Sequence, residues 1–201
     1  MKVFLTLVTY IFHPLFIPLG GTVAYFLITP KYTPLDVQGG TILPIFILTI
    51  IIPLITYLIL KNIGVVHSIA MPTAAERRYP VAIHIVLLLM ILYKVLPNNY
   101  VAELYFYFIG LLGASFTCLL LLFLNFKVSL HMTGMGAVFM YLISLSIHFE
   151  INVVIAISVF ALILGLVTSS SIYLKVQTRP ELVAGLCIGL LSQLLTVKYW
   201  L

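Results

Sequence analysis

Three short polar stretches interrupt an otherwise apolar chain: TAAERRYP at 73–80, KVSLH at 127–131 and SSIYLKVQTRPE at 170–181. Together they carry Arg77, Arg78, Lys127, Ser129, His131, Lys175, Gln177, Arg179 and Glu181. Arginine offers a planar fork of donors and lysine a point charge, so cations converging from separate loops can bind a phosphate dianion. A histidine titrating near neutrality, such as His131, can give a proton to a leaving oxygen. Anion recognition with an acid beside it is the chemistry these residue types offer. Each also has a structural reading. The cations are of the kind that meets lipid head groups beside membrane spans. His131 can equally be an interfacial residue bonded to a neighbouring loop. Thr178-Arg179-Pro180-Glu181 has the spacing of a capping box, with Pro in the first turn of the helix it starts.

The elements that must position these residues are membrane helices. Of 201 residues, 63% are hydrophobic and only 7% charged, with a mean hydropathy of +1.25, far from a soluble domain in which about a quarter of residues carry charge. The reading is a single integral membrane domain over 1–201, expected in a bacterial inner (cytoplasmic) membrane. The opening MKVFLTLVTYIFHPLFIPLGGTVAYFLI is too long for a signal-peptide core and reads as a retained span. Cys118 and Cys187 both lie in apolar runs, which suggests neither a disulfide framework nor a cysteine metal site. No basic run interleaved with aromatics points to nucleic acid. No metal and no cofactor is expected.

Apolar runs bounded by Pro, Gly and charge predict spans near 4–28, 41–60, 80–97, 102–125, 131–149, 151–170 and 181–198. The fold class is all-α, a polytopic membrane helix bundle of six to seven transmembrane helices. His13 and Pro14 interrupt the first run, and two spans meet at Glu150 with almost no loop. Two spans separate each polar stretch from the next, so all three stretches, read as loops, face one side of the membrane. Lys2 and Lys61 share that side, while Lys31, Lys94 and Lys198 fall on the other. Gly134, Gly136 and Ala137, and the GxxxG pair Gly185 and Gly189, read as helix-packing residues. His13, His84 and Gln193 read as polar groups bonded within the bundle.

The stretch SSIYLKVQTRPELVAGLCIG resembles the third signature of the type-two phosphatidic acid phosphatase superfamily, in which Ser-Arg is followed after five residues by His and after three more by Asp. Ser170 and Ser171 take the Ser-Arg positions, Gln177 the His position and Glu181 the Asp position. VSLHMTGMGA is similar to the second signature, keeping Ser129 and His131 while Val128 and Leu130 replace Pro and Gly. In TAAERRYP the first signature keeps Arg77, Arg78 and Pro80 without its upstream lysine. The resemblance spans roughly residues 70–190 and implies a phosphatidic acid phosphatase-like helix bundle working without a metal. It implies His131 as general acid, Glu181 as orienting carboxylate and Arg77 or Arg78 as a phosphate clamp. The remaining phosphate contacts fall to Lys127, Ser129, Lys175, Gln177 and Arg179.

The partner so implied is a membrane lipid with a phosphate or pyrophosphate head group. Two readings stay open. One is a lipid phosphatase working through an altered nucleophile or an activated water. The other is a non-catalytic lipid-phosphate-binding or structural protein on the same scaffold. Gln177 has no basic nitrogen lone pair and cannot form the phosphohistidine of the family mechanism. Ser171 lacks a guanidinium that Lys175 or Arg179 would have to replace.

Overall fold

A computed structural model describes residues 6–7, 9, 11–68, 71, 73–96 and 101–201. Among the described residues seven helices of more than ten residues run in order: α1 (Ile17–Ile28), α2 (Leu35–Asn62), α3 (Ala74–Val95), α4 (Ala102–Phe123), α5 (Leu130–His148), α6 (Val154–Tyr173) and α7 (Arg179–Val197). The fold is all-α. The last six are long and apolar enough to cross a membrane, which makes the chain an integral membrane protein; α1 with the turn before it is a shorter apolar helix. At 22 residues α4 is about 33 Å long, close to the ~30 Å hydrocarbon thickness of a bilayer.

α5 is the central helix. Of its most apolar stretch 61% is buried, against 11% for the peripheral α2. Its small residues explain why. On α7, a Cβ at Gly185 would sit 2.5 Å from Ser129 O, and one at Gly189 would overlap Thr133 O. From the other side, a Cβ at Gly136 would stand 2.8 Å from Leu186 O. Lipid tails are as apolar as leucine, so helices associate in a membrane chiefly through such close backbone approach and interhelical hydrogen bonds. Gln193 of α7 supplies one of the bonds, donating its Nε2 proton to Tyr107 O at 3.0 Å. Tyr107 in turn stacks on Tyr141 at 4.4 Å between ring centres.

The chain before α1 is helical at residue 11 and then breaks at 12–13, before a 3-10 turn at Pro14–Phe16. Prolines at 14 and 18 lack the amide proton a continuous ladder needs. The segment nevertheless runs from one end of the bundle to the other. Thr9 O meets His131 Nε2 at 3.3 Å, Ile17 O accepts from Tyr107 Oη at 2.9 Å, and Tyr25 Oη donates to Glu103 at 3.2 Å. Residues 4, 5, 8 and 10 of the first expected span, residue 97 of the third, and Lys2 lie outside the described residues.

One expectation needs correcting. Glu76-Arg77-Arg78-Tyr79-Pro80 is not a loop but lies inside α3, which starts at Ala74 with Thr73 as N-cap; Glu76 N donates to Thr73 Oγ1 at 3.2 Å. Pro80 is accommodated within the helix. α2 likewise begins before residue 41 and contains a π-helical stretch at Ile47–Ile51, shortly after Pro44 removes a ladder bond.

Candidate anion-binding face

The three polar stretches meet at one end of the bundle. Arg77, buried in the first turn of α3, donates from Nε to Met71 O at 2.8 Å and from Nη1 to Val128 O at 3.4 Å, tying the first stretch to the second. Ser129 N donates to Glu181 O at 3.1 Å, and Lys127 Nζ lies 4.0 Å from Glu181 Oε1, tying the second to the third. The Arg77 guanidinium is within electrostatic reach of Glu181, Glu76 and His131.

Helix starts create this convergence. Ser129 caps α5, its Oγ accepting from Met132 N at 3.2 Å. Thr178 and Glu181 form the capping box of α7, with Thr178 N donating to Glu181 Oε2 at 3.0 Å. Helix N-termini carry partial positive charge and unpaired amide protons, so these starts add to the cations beside them. Lys175, with φ of 53°, is exposed in the turn between α6 and α7, and Arg179 is exposed at the first position of α7.

His131 stands one residue into α5, and beside it is a residue assigned above to the bundle interior. His13 packs its ring edge-to-face against His131 at 5.4 Å, and its Nδ1 accepts from Leu15 N at 3.4 Å. Next to Phe12, which precedes His13, and one helical turn along α5 from His131 begins an apolar groove of about 310 Å³, lined by Phe12, Phe16, Ile17, Gly20 and Ala24 of the first segment, Met135, Val138 and Leu142 of α5, and Phe160 of α6. Met135, Val138 and Leu142 follow His131 at four, seven and eleven residues, so they share its face of the helix. Polar head and apolar groove are therefore contiguous.

The remaining candidates are engaged differently. Arg78 closes the far end of α4: Nε and Nη2 donate to Leu122 O at 3.2 and 3.0 Å, Nη2 also to Asn125 Oδ1 at 2.9 Å, and the guanidinium lies over Phe123. Ser171 is buried and donates to Val167 O at 2.9 Å within its own helix. The Gln177 carboxamide oxygen is buried without a hydrogen-bond donor among the described residues. Among the described residues no group of three or more His, Cys, Asp or Glu is placed to hold a metal ion.

Comparison with protein-family models, with curated proteins and with solved structures finds no match to this chain. Local geometry and chemistry therefore carry the functional reading. His13 was accessible to sequence only as a polar residue before a proline. Its partner lies 118 positions away, and no local pattern encodes that pairing.

Proposed function

We propose that this protein recognises a membrane lipid bearing a phosphate or pyrophosphate head group, as a lipid-phosphatase-like bundle. The head group lies at the face formed by Arg77, Lys127, Ser129, His131 and Glu181, with Lys175 and Arg179 at its rim. One hydrocarbon chain lies in the groove beneath. The observation that carries this reading is the continuity of the His13–His131 pair with the apolar groove along one face of α5. A water-soluble anion would need only the polar half. At roughly 30 Å³ for a water-sized group, the groove takes a chain segment of about ten such groups. The orphaned oxygen of Gln177 supports a partner that can donate, such as a monoprotonated phosphate or an alkyl hydroxyl.

Binding without rapid turnover is favoured over hydrolysis, because the nucleophile position of the resembled family is an amide. One observation favours the catalytic alternative: His13 and His131 are adjacent imidazoles, and either could replace the missing base. The test is purification into nanodiscs containing phosphatidic acid or a polyprenyl phosphate against phosphatidylcholine. Native mass spectrometry then reads retained lipid, and a phosphate assay reads release. Retention of the phosphate lipid, weakened by Lys127→Gln and by the groove-filling Gly20→Leu, is the expected result. Indifference to both substitutions overturns the reading. Phosphate release abolished by His13→Ala or His131→Ala establishes the hydrolytic alternative instead.

A further inference from the structure

The opposite end of the bundle holds a second polar centre, built around a carboxylate inside a membrane span. Glu103 lies in the first turn of α4 with its side chain 3% exposed. Its Oε2 accepts from Tyr25 Oη of α1 at 3.2 Å, its Oε1 contacts Lys31 Nζ, and His148 Nε2 at the end of α5 lies 3.5 Å away. An ionisable side chain in such a place is costly unless paired and commonly marks a site of function.

Two of the three partners, Tyr25 and His148, are held by helices. Lys31 is different: it is half-exposed, lies in the connection between α1 and α2, and reaches its ammonium inward from the surface. That ammonium also lies 5.3 Å from the Phe149 ring centre. A carboxylate on one side and an aromatic face on the other is how proteins hold organic ammonium groups.

The inner wall asks for more than a lysine can give. Tyr141 Oη, on a fully buried side chain within electrostatic reach of Glu103, Tyr25 and Tyr107, has no hydrogen-bond partner among the described residues. Trp200 Nε1 is also buried without an acceptor, and its ring packs 5.2 Å from His148 and 6.2 Å from Tyr141. Buried donors are nearly always paired, so two unmade bonds at one centre point to an oxygen that none of the described residues supplies. Lys31 meets the charge requirement and leaves the oxygen requirement open.

We propose that the Glu103 centre is a binding site for a primary ammonium group carried a few bonds from an oxygen acceptor, the chemistry of an aminoalkyl phosphate, with Lys31 as the resident cation that the ligand displaces. The ammonium takes the place of Lys31 between Glu103 and Phe149, while the oxygen accepts from Tyr141 and Trp200. Such a group comes either as an ethanolamine lipid head group in that leaflet or as the free aminoalkyl phosphate. This site is spatially separate from the phosphate-directed face at the other end.

The test uses the full-length protein in nanodiscs of phosphatidylethanolamine and phosphatidylcholine, with O-phosphoethanolamine and ethylamine as soluble probes in phosphatidylcholine alone. Wild-type protein is expected to retain the ethanolamine lipid preferentially or to bind O-phosphoethanolamine, and which of the two occurs identifies the source. Lys31→Ala removes the competing occupant and raises apparent affinity by about tenfold if Lys31 holds the site nine-tenths of the time. Glu103→Gln abolishes binding. Tyr141→Phe, which keeps the ring and its packing, reduces O-phosphoethanolamine binding to the level of ethylamine. Absence of binding in both wild type and folded Lys31→Ala overturns the proposal, as does binding unchanged by Tyr141→Phe, so the test does not depend on Glu103→Gln folding.

Discussion

Replacing Gly189 by alanine tests the packing on which the anion-binding face depends. A Cβ at this position overlaps Thr133 O and comes within 2.8 Å of Ala137 N and 3.0 Å of Thr133 C. All three are backbone atoms of α5, so no rotamer change relieves the contact. The helices must part by roughly 1 Å to restore ordinary carbon–oxygen separation. Overpacking of this kind costs about 1–3 kcal/mol, and the better helix propensity of alanine returns up to ~1 kcal/mol. With every overlapping atom on the backbone the upper part of that cost applies, about 2–3 kcal/mol, and the net loss of about 1–2 kcal/mol corresponds to a fall in Tm of about 2–8 °C for a chain of this size. The same parting strains the bond from Ser129 N to Glu181 O, which joins the starts of α5 and α7. Lipid retention should therefore fall with stability. Thermal unfolding in detergent, followed by fluorescence-detected size exclusion, reads the first effect, and native mass spectrometry the second. Gly165→Ala is the control, since its Cβ would meet nothing within 4 Å; it should be neutral or slightly stabilising. If Gly189→Ala melts at or above wild type in the same assay, the α5–α7 contact is not the close approach described, and the argument for the site's rigidity fails.

Arg78→Ala should lower stability by about 1–3 kcal/mol, because it removes three charge-assisted hydrogen bonds at the end of α4, leaving Asn125 Oδ1 without its donor and Leu122 O with Asn125 N as its remaining one. Retention of phosphate lipid per folded molecule should change little, which separates Arg78 from Arg77. Thr178→Ala removes half of the α7 capping box and should cost about 0.5–2 kcal/mol, read as a lower melting temperature. Gln177→His supplies an imidazole where the resembled family has its nucleophile. Phosphate release from phosphatidic acid should rise above wild type, and a folded variant without any rise refutes the positional correspondence. Adding Ser171→Arg should reduce stability rather than help, because Ser171 is buried against its own helix.

The spans were legible because the bilayer demands long apolar runs, and the turn between α6 and α7 because Thr178 and Glu181 announce a helix start. The start of α3 was misread for a definable reason. Pro80 was given the weight of a boundary, while Thr73-Ala74-Ala75-Glu76 already carried the Ser/Thr-x-x-Glu start pattern. In a membrane a proline inside a helix is tolerated more readily than in water, so the cap was the better guide. Glu103 gave no such signal. A single acid at the head of an apolar run reads as a span boundary, and what makes it a buried centre is Tyr25, Lys31 and His148, which come from three other parts of the chain.

The two polar centres share one structural dependence, the first segment. A helix surrounded by lipid gains little from apolar contact alone, so its position must be fixed by polar bonds and close packing. The segment is fixed at three heights: Thr9 O at His131, Ile17 O at Tyr107, and Tyr25 Oη at Glu103. Gly21 lets it approach the Tyr107 ring so closely that any side chain there would overlap it. Between the upper and lower bonds the same segment forms one wall of the apolar groove through Phe12, Phe16, Ile17 and Ala24. The helical path breaks at residues 12–13, just before Pro14, beside one end of that groove. A bond lost at Glu103 removes one of the three polar contacts that fix the segment, and so loosens the groove wall that the segment forms. The apolar groove is thus the element that the contacts at both ends of the bundle hold in place.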